Sequence, residues 1–284
     1  MMNRRQFLYT AVAAGLGLTG ADSLFYETDF IEYTEHIIHR GEPGGPAVRL
    51  LQLSDLHLRD IEWHHEKLAD RVNSLNPDFL LFTGDTIDRE GNLRLLNDFL
   101  RLFKRDMVKL SILGNWERWA IQNIRELRKV YRENNCDLLI NQTRTFEIQG
   151  KKMLITGVDD LVTGFPNFLK AIRNMPREKN HIVLAHSPKH RDALISDCGL
   201  LNSRVRGEED RVEVDCVLSG HTHGGQVSFF GYAPILPKGS AGYVKGWFRD
   251  RKPYLYVSRG IGTSILPVRF GARAEVPMFT YHLR

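Results

Sequence analysis

The sequence predicts an α/β fold in which two mixed β-sheets are sandwiched between layers of helices. From residue 48 onward, short apolar runs alternate with longer amphipathic stretches, which is the pattern of β-α-β units. Beyond residue 135 the pattern changes to closely spaced pairs of strands, which favours mixed sheets over a purely parallel one. A chain of 284 residues with 42% apolar composition also has ample material for a buried core.

Each predicted element rests on its own local pattern. Short apolar runs bounded by turn-forming or polar residues predict strands at 34–38, 49–53, 79–83, 109–113, 138–140, 145–148, 153–158, 181–185 and 214–218. Apolar residues at helical spacing predict helices at 62–75, 93–104, 118–133 and 165–175. The charged stretch 203–212 is predicted to be an exposed loop.

The first 46 residues are predicted to precede the folded domain. Arg4 and Arg5, followed by the uncharged stretch 9–20, resemble a twin-arginine export signal over residues 1–21; the alternative is a basic helix that packs on the domain. Residues 22–46, which end in a cluster of glycine and proline, are predicted to be a linker, and residues 47–284 a single domain. We therefore expect export by the twin-arginine machinery to the periplasm or the outer face of the inner membrane.

The composition argues against several classes of protein. Three scattered cysteines are too few for a disulfide framework, and none has the Cys-x-x-Cys spacing of zinc ribbons. A formal net charge of +5 suits an anionic substrate, but the basic residues form no long stripe. No nucleic-acid partner is expected.

Residues that bind metals follow five of the predicted strands. The carboxyl ends of strands along one edge of an α/β layer face a common crevice, so residues far apart in the chain can converge there. Carboxylate, amide and imidazole together suit Mn, Fe or Zn better than Mg or Ca, and two such ions can activate water for attack on a phosphate. The candidate ligands are Asp55, His57, Asp85, Asn115, His186, His221 and His223.

These residues and their neighbours resemble the calcineurin-like metallophosphoesterase superfamily. The similarity rests on Asp55-x-His57, Gly84-Asp85-x-x-Asp88, Gly114-Asn115-x-Glu117, His186 and Gly220-His221-x-His223. Longer strings, such as 53–58, 224–226 and 256–264, resemble the bacterial branch of exported or membrane-associated phosphodiesterases. The resemblance implies the metallophosphatase-like four-layer sandwich and two divalent transition-metal ions.

The resemblance also implies a role for each ligand. The first metal site would comprise Asp55, His57, Asp85 and His223, and the second Asp85, Asn115, His186 and His221. Asp85 would bridge the two ions, and His57, Asp85 and Asn115 are the residues expected to be catalytic.

One residue departs from the family pattern. Trp116 stands where the family usually has a histidine that protonates the leaving oxygen, and an indole cannot act as a general acid. Three consequences are open: a substrate whose leaving group needs little protonation, such as a phosphoanhydride or an aryl phosphate; a substitute proton donor; or weak activity. The first two together are favoured.

Two acidic residues near the ligands have alternative interpretations. Asp88 is expected either to hydrogen-bond a metal-bound histidine or to cap a nearby helix. Glu117 is expected either to orient the site or to stabilise the start of a helix through its dipole.

The stretch 228–256 interleaves aromatic and basic residues directly after the last histidines. This pattern is typical of a surface that contacts a membrane or an amphipathic substrate such as a phospholipid; the alternative is a folded loop whose aromatics pack on the sheet.

The sequence thus predicts a dinuclear-metal phosphoesterase that hydrolyses phosphodiester or diphosphate bonds. The expected substrate is an envelope component or is phospholipid-like, and lipid-linked phosphate esters are among the expected substrates. The alternatives are a UDP-2,3-diacylglucosamine diphosphatase and a catalytically weak, metal-dependent binding protein at the envelope.

Overall fold

A computed structural model describes residues 30–38, 45–228, 232–264 and 268–284. Its strands form two six-stranded sheets. The strands of the first sheet are β1 (Glu32–Ile37), β2 (Ala47–Leu53), β3 (Phe79–Phe82), β4 (Val108–Ser111), β5 (Cys136–Leu138) and β12 (Glu275–His282). Their order is β1-β12-β2-β3-β4-β5, and only the β12–β2 pair is antiparallel.

The second sheet is also mixed. Its strands are β6 (Gln142–Ile148), β7 (Lys151–Gly157), β8 (His181–Leu184), β9 (Cys216–Ser219), β10 (Gly246–Phe248) and β11 (Tyr254–Val257). The order is β10-β11-β9-β8-β7-β6, with parallel pairs at the centre and an antiparallel pair at each edge. Each central strand is covered on both faces, which explains why it reads as a continuous apolar run.

Helices cover the outer face of each sheet. They are α1 (Trp63–Leu75), α2 (Leu93–Leu100), α3 (Asn115–Ala120), α4 (Ile124–Glu133), α5 (Phe168–Ala171) and α6 (His190–Asn202). Residues of α1, α2 and α4 form one apolar cluster with the first sheet, and residues of α5 and α6 form another with the second. A third cluster, which includes Leu50, Leu81 and Ile182, fills the space between the sheets. These four layers confirm the predicted fold class.

Several predicted elements differ from those observed. The helix predicted over 118–133 is two helices, because Ile121 adopts an extended backbone and Asn123 caps a new helix by accepting a hydrogen bond from Arg125 N. The helix predicted over 165–175 is confined to α5, and the one over 93–104 ends at Leu100. Apolar spacing cannot reveal these breaks, since the same face stays buried on both sides of each.

The N-terminal predictions fall mostly outside the described residues, which include none of 1–29 or 39–44. Within the segment predicted as a linker, β1 pairs in parallel with β12, so this part belongs to the first sheet. The strand predicted at 34–38 is thereby observed at Glu32–Ile37. Among the described residues, every helix is too short or too polar to cross a bilayer.

Candidate metal centre

The topology brings the predicted ligands to one edge of the molecule. β2, β3 and β4 of the first sheet and β8 and β9 of the second all end there, and the loops that follow them carry the candidate residues. All of these side chains are buried, with the seven residues between 0% and 5% exposed. The sequence prediction that they converge agrees with the structure.

The side chains form two compact groups. In the first, composed of Asp55, His57 and His223, the two Nε2 atoms are 3.2 Å apart, and His223 Nε2 lies 3.7 Å from Asp55 Oδ1. In the second, composed of Asp85, His186 and His221, His186 Nε2 lies 3.1 Å from His221 Nδ1.

Asp85 connects the two groups. Its Oδ2 lies 3.0 Å from His186 Nε2 in the second group and 3.9 Å from His57 Nε2 in the first. Its other oxygen, Oδ1, accepts a hydrogen bond of 2.9 Å from the backbone N–H of Trp116, which fixes the carboxylate in this orientation. One oxygen of Asp85 therefore faces both groups at once.

Asn115 begins α3 and lines the same crevice as Asp85. Its Oδ1 is buried and has no hydrogen-bond partner among the described residues. A buried carbonyl oxygen without a partner costs about 1–3 kcal/mol, so its retention here fits a role as a ligand.

Backbone carbonyls orient three of the histidines. His186 Nδ1 is 2.8 Å from Thr83 O, His223 Nδ1 is 3.2 Å from Gly262 O, and His221 Nε2 is 2.8 Å from Lys238 O. Each carbonyl accepts the ring N–H, which directs the other ring nitrogen into its group.

This arrangement fits divalent cations. Lone pairs of two nitrogens 3.1–3.2 Å apart repel each other unless a cation or a proton lies between them. Two nitrogens that share one ion at about 2.0–2.1 Å lie roughly 3.0–3.4 Å apart, depending on the coordination geometry. The donor set, which mixes imidazole with carboxylate and amide oxygen, is typical of transition-metal sites.

The pKa values show the same electrostatic environment. Burial lowers the pKa of His57, and it lowers the pKa of His223 to about 3, although both lie near carboxylates. Burial also acts against the charge on His186 and Asp85, but their mutual attraction outweighs it, so the pKa of His186 is raised and that of Asp85 is lowered. Most of these imidazoles are therefore neutral, which is the form that binds metals.

The ligand loops have an unusual backbone. The five residues Asp55, His57, Asp85, His221 and His223 all have positive φ, between 47° and 75°. Each such residue costs of order 1–3 kcal/mol and persists only where the surrounding structure holds it. The close packing of the loops on one another supplies that restraint.

Gly220 shows how close this packing is. A Cβ atom at this position would overlap Ser54 Oγ and Asp55 Oδ2. The backbone N–H of His221 lies 3.0 Å from both carboxylate oxygens of Asp55, so the loop after β9 is held directly against the loop after β2.

The structure supports both interpretations of Glu117, which accepts a hydrogen bond from the N-cap residue of α3, Gly114, and also orients the site. Its buried carboxylate accepts hydrogen bonds from the backbone N–H of Asp85 (2.9 Å), of Thr86 (2.5 Å) and of Gly114 (2.9 Å), and from the hydroxyl of Thr86. It thus ties the loop after β3 to the loop after β4. Burial and the charge on Asp85 raise the pKa of Glu117 to about 7, against the effect of the four donors.

Asp88 lies beside Arg59, with its Oδ2 3.4 Å from Arg59 Nε. Its other oxygen, Oδ1, is buried and has no hydrogen-bond partner among the described residues, so neither of its two expected hydrogen bonds is seen there. Arg59 also donates to Ser264 O, so the pair connects the loop after β2 to the rim of the site.

Sequence analysis missed Arg269, which lies fully buried behind the first group. It donates hydrogen bonds to the carbonyls of Arg259, Ala272 and Gly262, and Gly262 O is also the acceptor for His223. An arginine 46 residues from its nearest ligand carries no periodic or spacing signal, so only the fold could reveal this contact.

The two groups lie at the floor of a crevice of about 620 Å³. Trp116 and Trp119 form one wall; the Trp116 ring stands edge-on to His57, with ring centroids 5.7 Å apart. Pro234, Ile235 and Pro237, from the stretch 228–256, also line the crevice. Aromatic residues of that stretch, such as Trp247, pack on the sheets, as the folded-loop alternative expects.

Comparisons with known proteins agree with this geometry. A family model described as calcineurin-like phosphoesterase matches residues 48–225. The uncharacterized metallophosphoesterase YkuE of Bacillus subtilis is 30% identical, with 98% of this chain and 97% of its own covered. An uncharacterized metallophosphoesterase of Aquifex aeolicus is 28% identical, with coverage of 89% and 93%. The phosphodiesterase YaeI of Escherichia coli is 25% identical, with 98% of each chain covered.

The family model spans more than half of the chain, and its matched region contains both groups of candidate ligands. The loops at the ends of five strands, the two histidine-carboxylate groups and the matching relatives all indicate a metallophosphoesterase. The chain belongs to the calcineurin-like phosphoesterase family and is a metal-dependent phosphoester hydrolase.

Proposed function

We propose that this protein hydrolyses phosphodiester or diphosphate bonds with two divalent transition-metal ions, Mn, Zn or Fe. The observation that carries the proposal is the position of Asp85 Oδ2, which faces His57 of the first group and His186 of the second. A carboxylate oxygen between two histidine groups is what a shared, bridging ligand requires. The first ion would be held by Asp55, His57, Asp85 and His223, and the second by Asp85, Asn115, His186 and His221.

Bound ions would supply Lewis-acid stabilisation of the phosphate oxygens and would lower the pKa of water. The protein's own residues set the geometry. The carbonyls of Thr83, Gly262 and Lys238 aim the imidazoles, and Glu117 holds the loops that carry Asp85 and Asn115.

Trp116 shapes the choice of substrate. Because the indole N–H is too weakly acidic to protonate a leaving oxygen, the site favours esters whose leaving group departs as a stable anion. Phosphoanhydrides and aryl phosphodiesters meet this condition, and alkyl esters require a proton from another group.

We further propose that the natural substrate is an envelope component or is phospholipid-like, and that the chain acts after export by the twin-arginine route. The apolar walls of the crevice support a lipid-like substrate, and Arg4-Arg5 with the uncharged stretch after them supports export. Export also disfavours UDP-2,3-diacylglucosamine, because that nucleotide is cytoplasmic.

The test is hydrolysis of bis(p-nitrophenyl) phosphate by metal-stripped protein refilled with Mn or Zn. We expect metal-dependent turnover and two ions per chain. Asp85→Asn should lose the turnover, whereas Asp98→Asn should keep it, because Asp98 lies on the surface, where it contacts Arg94 and Asn97.

A parallel assay with UDP-2,3-diacylglucosamine separates diphosphate from phosphodiester hydrolysis. Two bound ions without turnover of either substrate would contradict the proposed activity and would favour a metal-dependent binding protein. Turnover that survives Asp85→Asn would contradict the bridging role.

A further inference from the structure

We propose that the crevice above the metal centre is a binding site for a hydrocarbon chain attached to the scissile phosphate, and that Trp119 and Ile235 determine this specificity. The inference rests on the proposed phosphoesterase activity and assigns the substrate class of the same site. It makes the preferred substrate a phosphodiester with one long apolar group.

The crevice is continuous with the candidate metal centre. Asp85, Asn115 and His221 contribute to its floor, and Trp116 and Trp119 rise from the same helix that begins at Asn115. A phosphate placed at the floor would therefore have its ester substituents directed along the apolar walls. The volume of about 620 Å³ lies within the roughly 300–1,000 Å³ typical of small-molecule sites.

Two large apolar side chains that line the crevice remain exposed to solvent in the folded protein. Trp119 is 61% exposed and Ile235 is 81% exposed, although both line the crevice. The rings of Trp119 and Trp116 are nearly perpendicular, with centroids 5.5 Å apart, and the exposed surface of Trp119 remains available to a ligand. Exposed apolar residues that cluster at a cleft, rather than lie scattered, mark binding surfaces.

The polar residues of the lining are already engaged in the protein. Gln226 accepts a hydrogen bond from Ser264 and donates one to Val268 O, and the Thr222 hydroxyl donates to Val244 O. Among the described lining residues, Lys238 is the one cation. A nucleotide or sugar would find few partners on these walls, whereas a hydrocarbon chain needs none.

A salt bridge ties the tryptophan wall of the crevice to a neighbouring loop. Arg118, between the two tryptophans, pairs with Asp159, with its Nε 2.9 Å from Asp159 Oδ1. Asp159 also accepts the backbone N–H of Phe165 and so holds the loop that carries Val162, another residue of the lining. This side of the crevice is therefore held in place, and the length and width of a ligand's apolar part determine how well it fits there.

The experiment is a chain-length series of methyl, butyl and octyl p-nitrophenyl phosphodiesters, assayed with the Mn-loaded full chain below the micelle concentration of each ester. We expect kcat/KM to rise roughly two- to fourfold for each added methylene until the slot is filled. Trp119→Ala and Ile235→Ser should each lower kcat/KM for the octyl ester about tenfold and leave the methyl ester within twofold. Trp63→Ala is the matched control, since Trp63 is 54% exposed on α1 and does not line the crevice.

A separate measurement of ligand affinity tests this inference independently of the proposed activity. Affinities of methyl- and octylphosphonate, measured by calorimetry, should differ in wild type and converge in Trp119→Ala. Chain-length-dependent binding without turnover would support the slot and refute the phosphodiesterase activity. Turnover with equal kcat/KM across the series, or equal binding of the two phosphonates, would overturn the inference. A dioctanoylglycerol ester preferred over the octyl ester would identify a glycerophospholipid as the source of the chain.

Discussion

Gly220→Ala is the sharpest test of how the site is assembled. Its added methyl group would overlap Ser54 Oγ and Asp55 Oδ2, and would lie 3.0 Å from Ser54 Cβ. Unstrained carbon contacts lie at about 3.5–4.0 Å, so the loop after β9 and the loop after β2 must separate by about 1 Å. The φ of Gly220 lies outside the left-handed region, so the effect is steric rather than conformational.

This displacement has two measurable consequences. Overpacking of a tight core typically costs about 1–3 kcal/mol, and each kcal/mol lowers Tm by roughly 2–4 °C in a domain of this size. A shift of 1 Å between Asp55 and the loop of His221 and His223 should lower kcat/KM about 100-fold, because positioning errors of that size have such effects. We therefore expect a moderate loss of stability and a large loss of activity.

The assays are thermal unfolding, Mn titration by calorimetry and hydrolysis of bis(p-nitrophenyl) phosphate. The control is Gly91→Ala, where an added Cβ meets no atom within 4 Å and the φ is not left-handed. That variant should match wild type in all three assays. If Gly220→Ala bound Mn normally and kept its activity within twofold, the close approach of the two loops would not position Asp55, and the reasoning would be refuted.

Three other predictions address residues behind the site and in the core. Arg269→Lys should weaken Mn binding about 10–100-fold, since a compact ammonium lacks the fork of the guanidinium, which reaches the carbonyls of Arg259, Ala272 and Gly262 together; calorimetry on a variant with a native circular dichroism spectrum checks this, and unchanged affinity would contradict it. Glu275→Gln should lower the free energy of unfolding by about 2–3 kcal/mol, because it removes the charge that pairs with Arg259 while Arg259 keeps its ion pair with Glu32; urea titration measures the change, and a loss below about 1 kcal/mol would count against it. Burial lowers the pKa of His181 to about 4, so its neutral form stabilises the fold above pH 6.5 and this contribution disappears as pH falls towards 4. Wild type should lose about 3 kcal/mol more than His181→Gln between pH 7 and pH 4 in urea titrations, and parallel losses would refute the assignment.

The sequence predicted the candidate ligands better than it predicted the helices. Asp55, Asp85 and His221 each follow an apolar run within a few residues, and this short-range pattern can be recognised in the sequence alone. Parallel strands that lie side by side then bring the residues at their carboxyl ends to one edge of the sheet. The helix predicted over 118–133 was wrong as one element, because the break at Ile121 leaves the spacing of buried residues almost unchanged. A local pattern reports which face is buried, not where the backbone turns.

The residues behind the ligands were beyond sequence reasoning. Glu117 has an ordinary explanation as an acidic residue at a helix start, and only the tertiary structure shows that the same carboxylate also holds the loop of Asp85. No local sequence pattern indicates the role of Arg269, since two of the carbonyls that it contacts, those of Arg259 and Gly262, lie in the loop after β11.

By itself the sequence determined the layers of the fold, the order of the ligands and the kind of chemistry, since these depend on short apolar runs and on residue types. Tertiary structure alone decided that one oxygen of Asp85 faces both histidine groups, that Gly220 must lack a side chain, and that Trp119 and Ile235 face one crevice. Those features are distances between loops of different sheets, and such distances are set by how the two sheets pack rather than by any local pattern along the chain.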